Sequence, residues 1–152
     1  MPLLNFSIAN SQVTDNGFKY LIQRFEAIYL KNVQTGREIV EGMHFNFSNN
    51  TIGESSVRFF AEILKKFHGF RSVDMRSLLM KGKNASDSGY SELARAIKEN
   101  NSLVELDIRH NFIPEHQIAK ILNALADNYV LSELKLDIKT RRTPNGFSSY
   151  PI

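Results

Sequence analysis

Between residues 6 and 136 the apolar positions repeat one template four times and begin it a fifth time. One unit opens on Leu106 and Ile108 and runs through Asn111, Ile113, Ile118, Ile121, Leu122, Leu125 and Asn128; Leu131 then leads into Leu134 and Leu136. Set back by 28 residues, the slots hold Leu78, Met80, Lys83, Ala85, Tyr90, Leu93, Ala94, Ile97, Asn100 and Leu103. Set back by 61, they hold Phe45, Phe47, Asn50, Ile52, Val57, Phe60, Ala61, Leu64, Phe67 and Phe70. Set back by 100, they hold Phe6, Ile8, Ser11, Val13, Phe18, Leu21, Ile22 and Phe25. Recurrence at about 28 residues predicts a solenoid of stacked units.

Two periods coexist within a unit. Leu106 and Ile108 alternate, as in a short strand with one buried face. Ile118, Ile121, Leu122 and Leu125 follow the i, i+3, i+4, i+7 stripe of a helix. A strand, a turn, a helix and a turn in so short a span make successive strands parallel, joined by right-handed crossovers. Helices are wider than the spacing of strands. The predicted fold is therefore an α/β horseshoe, strands on the concave face and helices on the convex face, with about four full repeats and a terminal strand.

The segments VTDNGFKYL (13–21), ASDSGYSEL (85–93) and LVELDIRHNFI (103–113) resemble leucine-rich repeats of the ribonuclease-inhibitor type. The Leu-x-x-Leu-x-Leu-x-x-Asn-x-Ile string is complete at Leu103–Ile113, and the resemblance covers roughly residues 4–139. It implies that Asn111 and Asn50 bond the turn backbone and hold neighbouring coils together. Ser11 can substitute weakly through its hydroxyl. Lys83 departs from the pattern because an ammonium accepts no hydrogen bond, so the third turn is expected to be looser.

Helix starts agree with the repeat. Thr14 and Ser86 precede apolar stripes, each followed by an aspartate, as N-caps do. Gly17 and Gly89 share one slot, and Pro114 enters at the helix start of the fourth unit, where a missing N–H costs little. The repeat domain is read as residues 1–139, interrupted twice. Residues 27–44, AIYLKNVQTGREIVEGMH, lengthen the first step and are expected to form a projecting hairpin around Gln34-Thr35-Gly36-Arg37. Five extra residues are placed within Phe70–Ser77. The tail 140–152 has Pro, Gly and Ser without a period and is expected to be irregular.

At 152 residues the chain is one domain with room for a real core. It has no cysteine, hence no disulfide or thiolate metal site, which fits a reducing compartment. No apolar run reaches the ~18 residues of a membrane span, and MPLLNFSIAN lacks the basic start of a signal peptide. An intracellular, cytoplasmic location is expected. The net charge is +3, with Lys135, Lys139, Arg141 and Arg142 concentrating the excess near the C-terminus. That end is a candidate contact for nucleic acid or an acidic partner, although no aromatic interleaving accompanies it.

Catalytic signals are poor. The four histidines, His44, His68, His110 and His116, have no partner at an established metal spacing, and phosphate loops and nucleophile elbows are missing. No enzymatic activity, metal or cofactor is expected. Strand alternation instead assigns a display surface. On the concave face it comprises His44, Asn46, Ser48, Leu79, Lys81, Asp107, Arg109, Lys135 and Asp137, with Leu79 as the central apolar anchor. On the convex face Tyr20 and Phe59 form a second candidate contact. Both solenoid ends look under-capped, which favours self-association or a place in a larger complex. The resemblance implies a non-enzymatic protein-binding module, an adaptor or structural subunit. Alternatives are a GTPase-regulator-like or actin-capping-like regulator of an enzyme in another chain, a bacterial effector engaging a host protein, and a nucleic-acid binder.

Overall fold

A computed structural model describes residues 5–36, 42–78, 89–143 and 146–151. Strands β1 (Asn5–Ser7), β2 (Met43–Asn46), β3 (Phe70–Asp74), β4 (Glu105–Asp107) and β5 (Glu133–Lys135) form one sheet in chain order. Every neighbouring pair is parallel. Between them run α1 (Asp15–Thr35), α2 (Glu54–Lys66), α3 (Gly89–Glu99) and α4 (Glu115–Leu125). Consecutive helices pack side by side in the same order as the strands, so the chain makes two layers, sheet and helices. It is a mixed α/β repeat.

The core lies between the layers. In the first two coils it is aromatic: the Phe45 ring stacks on Phe6 at 5.9 Å and on Phe70 at 5.5 Å, and Phe18 meets Phe47 at 4.8 Å. Toward β5 it becomes aliphatic, with Leu93, Ile97, Leu106, Ile108, Ile118 and Ile121 buried.

The third strand is not where the apolar pattern was read. Register pairs Val73 with both Phe45 and Leu106, so Val73 and Met75 fill the slots expected for Leu78 and Met80. Leu78 drops into the slot of Asn50 and Asn111 and is buried. Backbone conformation agrees independently: Asn10, Asn49, Ser77 and His110, one per coil, all adopt left-handed φ between 53 and 61°. Ser77 is thus a turn residue. The extra residues lie after Leu78 rather than within Phe70–Ser77, and Leu79, Lys81, Lys83 and Ser86 fall outside the described residues. The cause is a local degeneracy. Leu78-Leu79-Met80 also supplies an alternating pair, while Phe70-x-x-Val73-x-Met75 is the better Leu-x-x-Leu-x-Leu string.

Two other expectations are corrected. The insertion 27–44 is no hairpin, because α1 runs on for 21 residues to Thr35. Phe25 and Tyr29 continue the buried stripe of Phe18 and Ile22, and Tyr29 meets Phe67 at 4.7 Å. Between Gly17 and Gly36 no Gly or Pro interrupts, and the left-handed φ of 67° at Gly36 ends the helix. Residues 37–41 of that segment lie outside the described residues. The tail is not irregular either. Strands β6 (Ile138–Thr143) and β7 (Gly146–Pro151) pair antiparallel, and β7 runs close to α4, so the C-terminal side of the coil is not bare.

Asparagines stitch the coils. Asn50 Oδ1 accepts from the backbone N–H of Ser11 and Val13 at 3.2 and 3.0 Å, and its Nδ2 donates to Ile8 O at 2.8 Å. Asn111 repeats this: Leu78 N–H donates to its Oδ1 at 2.8 Å, and its Nδ2 donates to Met75 O at 2.8 Å. Asn100 and Asn128 do the same at the opposite turns, donating to Leu64 O and Ile97 O of the preceding coil. The seam between the second and third coils, where Leu78 replaces the turn asparagine, is the one Asn100 spans.

Helix starts use the neighbouring coil. Thr14 holds the N-cap position of α1 without a side-chain cap bond. Asp15 instead accepts from Gly53 N–H at 2.8 Å and from the Ser56 hydroxyl, serving the start of α2. At Gly89 the helices touch so closely that a Cβ would lie 2.7 Å from Arg58 N and Glu54 O.

Asn111→Ala and Asn100→Ala should each lose about 1–3 kcal/mol in urea unfolding, because buried backbone groups lose their partners. Gly89→Ala should cost a similar ~1–3 kcal/mol through overpacking. Ser11→Ala, whose hydroxyl bonds only Ala9 O in an exposed turn, should stay within about 0.5 kcal/mol. A Ser11→Ala loss equal to that of Asn111→Ala would contradict the stitching role.

Candidate functional site: the outward face of the sheet

Parallel register lines the outward side chains into rows. One row reads Asn5, His44, Ser72, Glu105 and Glu133; the next reads Ser7, Asn46, Asp74, Asp107 and Lys135. Just past the strands, Ser48, Arg76, Arg109 and Asp137 occupy equivalent places. The face runs from uncharged at β1 and β2 to charged at β3 to β5.

The charged half is internally paired. Arg76 Nε and Nη2 donate to Asp74 at 2.9 and 2.8 Å, and the same guanidinium lies 3.4 Å from Asp107. Arg109 binds Asp107 in the same way, at 3.0 and 2.8 Å. Burial alone would raise the Asp107 carboxyl. The side-chain and backbone hydrogen bonds from Arg109, together with the charges of Arg109 and Arg76, outweigh it and hold the group below the usual carboxylate range. The Asp74 bonds likewise raise Arg76 and the Asp107 bonds raise Arg109, so both guanidiniums stay charged. Asp137 accepts from the His110 backbone N–H, and its carboxylate lies 3.5 Å from His110 Nδ1.

Of the residues singled out from sequence, His44 and Lys135 are exposed, and Asn46, Asp107, Arg109 and Asp137 are half-buried on this face. Ser48 is only 2 % exposed, its backbone N–H held by Asn46 Oδ1, so it offers nothing to a partner. Asn50 and Asn111 are structural, as described. The convex pair separates: Tyr20 is 67 % exposed, whereas Phe59 packs partly into the core with the Lys19 ammonium 5.6 Å above its ring. Sequence reading missed Ser72, Asp74 and Arg76. Their signal was the repeated Asp-x-Arg of Val73-Asp74-Met75-Arg76 and Leu106-Asp107-Ile108-Arg109. It also missed Phe112 and Tyr129, which are 87 and 95 % exposed on the turns flanking α4.

A depression of about 360 Å³ lies over β1 and β2 between Asn5, His44 and Ser72, and a second of about 120 Å³ lies between Glu105, Asp107, Glu133 and Lys135. Ser72 and Asp74 line both, so the two adjoin at β3 and together make a shallow groove that crosses the five strands. Among the described residues no three His, Asp or Glu side chains converge as metal ligands, and no helix is long and apolar enough to cross a membrane.

No family model matches the chain, and no curated protein does. Among solved structures it is similar to the actin-binding site 2 (ABS2) of leiomodin-1, with a TM-score of 0.64 and 21 % identity over 86 % of this chain and 68 % of that one. At this identity the likeness concerns the fold.

The depressed Asp107 carboxyl has a consequence for acid stability. A carboxylate that titrates lower when folded stabilises the fold above its unfolded value, near 3.9, and that contribution fades as pH falls toward the folded value. Asp107→Asn should therefore lower stability at pH 7, by no more than about 1 kcal/mol because the pair faces solvent. The gap to the parent chain should close below about pH 4. Urea midpoints at pH 7, 5, 4 and 3 check this, and a gap that widens in acid contradicts it.

Proposed function

We propose that this chain is a leucine-rich-repeat module of the ribonuclease-inhibitor type, working as a non-enzymatic adaptor that binds another protein through the outward face of its sheet. The repeat assignment draws support from the corrected third strand. Phe70-x-x-Val73-x-Met75, Leu103-x-x-Leu106-x-Ile108 and Leu131-x-x-Leu134-x-Leu136 now follow one string at successive strands. The observation that carries the binding reading is the groove across five strands, lined by polar side chains, of which Asp74 and Asp107 are held in ion pairs. Just past the strands, Arg76 is held to Asp74 by three side-chain bonds and Arg109 to Asp107 by two, so these side chains have little rotamer freedom left to lose.

The solved neighbour is described as an actin-binding site, which makes actin the first partner to test. The regulator, effector and nucleic-acid readings gain no observation of their own. The basic end that motivated the last falls largely on residues 138–142, outside the described side chains.

Co-sedimentation with actin filaments, together with affinity capture from the native source, should retain a protein partner. His44→Ala with Asn5→Ala, both exposed on the face, should weaken the recovered complex by about 1–3 kcal/mol, or roughly 5- to 150-fold in Kd, without moving the urea midpoint. Tyr20→Ala on the helix layer should leave it unchanged. The opposite result, loss with Tyr20→Ala alone, transfers the site to the convex side and refutes the sheet-face reading.

A further inference from the structure

The sheet face treats its two pairs of facing acids differently. Register sets Asp74 beside Asp107 and Glu105 beside Glu133 on neighbouring strands. Like charges directly opposite one another repel. For the aspartates the chain supplies two cations: Arg76 grips Asp74 and lies 3.4 Å from Asp107, while Arg109 grips Asp107. For the glutamates it supplies one exposed lysine, Lys135, 3.5 Å from Glu133. The Glu105 carboxylate has no ion pair or hydrogen bond among the described residues. Arg71, shifted to the start of β3 by the bulge in the β2–β3 register, is exposed and makes no ion pair among them either.

This pair, two carboxylates sharing the single cation of Lys135, lines the narrow end of the groove, and Asn5, His44 and Ser72 at the wide end include no acid. Five strands at ~4.8 Å spacing make the groove ~19 Å long, the reach of about six extended residues. We propose that it takes a short extended segment of a partner protein, with a Lys or Arg side chain placed between Glu105 and Glu133 and uncharged polar residues over β1 and β2. The segment supplies a second cation to this rung, whose own chain provides Lys135 at Glu133 and none at Glu105, whereas the neighbouring rung has two from its own chain. Selection is local: the chain as a whole is net positive at +3, so a basic segment is drawn to this end of the face and not to the molecule at large. The inference rests on the sheet-face reading and adds its chemistry and direction.

The test is a titration of the isotopically labelled full chain with the blocked hexapeptide Ser-Asn-Ser-Lys-Arg-Lys, followed by amide chemical shifts. Saturable shifts are expected at Glu105, Leu106, Glu133 and Leu134, weakening as salt is raised. The acidic counterpart Ser-Asn-Ser-Glu-Asp-Glu should produce none. The double variant Glu105→Gln, Glu133→Gln should bind the basic peptide at least tenfold more weakly while unfolding at an equal or higher urea midpoint, because the repulsion is gone. That rise separates a vacant docking rung from a structural one. Shifts scattered over the helices, or unchanged affinity in the double variant, overturn the proposal. So does calcium chloride alone reproducing the Glu105 and Glu133 shifts while the peptide gives none, which would make the rung a cation site. If the peptide fails while capture of a protein still depends on His44 and Asn5, the charge assignment falls and the adaptor reading stands. If both fail, both fall.

Discussion

A parallel coil has one recurring problem, the backbone of its turns, and a single carboxamide solves it. Strand residues pair with the next strand, but where the chain bends toward a helix the N–H and C=O groups of adjacent coils no longer face each other. They cannot be left unpaired inside the protein. Asn50 accepts from two N–H groups of the previous coil and donates to one of its carbonyls, and it donates again within its own turn to Phe47 O. No other side chain of that size offers both an acceptor and two donors at one point. Core spacing, sheet register and the placement of the display rows all follow from that junction.

The same accounting explains how the third coil survives its exception. Leu78 sits in the asparagine slot and contributes apolar burial instead, so the turn asparagine is missing from the seam between coils two and three. Asn100 bridges that seam from the opposite side, reaching Leu64 O at 2.8 Å. Gly89 lets α3 lie directly on α2 at the same seam. Of the three seams between helix-bearing coils, the first relies on Asn50, the second on Asn100, and the third on both Asn111 and Asn128. A long connection is accommodated where the turn ladder is already interrupted.

How much of this was legible in the sequence depends on the period involved. The helical stripes were unambiguous: Tyr90, Leu93, Ala94 and Ile97 fell in frame and are buried, as are their counterparts in α2. A strand of three residues carries only two buried side chains, so its frame rests on one or two identities. Leu78 with Met80 therefore competed evenly with Val73 and Met75. The tie was broken by hydrogen bonds and by left-handed turn residues, neither of which hydropathy encodes. Polar identities held the missing information, since Asp-x-Arg recurs at 74–76 and 107–109 in the correct frame. In residues 27–35, helix-forming composition outweighed the turn signal at Gly36, because Phe25 and Tyr29 had a core to join. The candidate face was half legible for the same reason: the rows on β2, β4 and β5 followed from alternation, and the row on β3 moved with its strand.

Alternation along a strand separates the two jobs of each residue pair. Inward positions answer to packing, and outward positions are free to answer to something else. Charge order on the face shows that freedom at work. Coils three and four present acid then base, Asp74 and Arg76, Asp107 and Arg109, whereas coil five reverses it to Lys135 and Asp137. The reversal is electrostatically useful. With the earlier order, the arginine row would have gained a third cation beside Arg109; instead it gains Asp137, which adds to the charges that keep Arg109 protonated. The row above gains Lys135, which stands beside Asp107 in register while its ammonium pairs with Glu133 at 3.5 Å. The aspartate and arginine rows thus compensate each other, whereas in the row of Glu105 and Glu133 only Glu133 has a cation, Lys135. On a surface whose other charges are so largely balanced, the unpaired Glu105 carboxylate is where an outside cation gains most, and this is the physical ground for the docking proposed at the β4–β5 end.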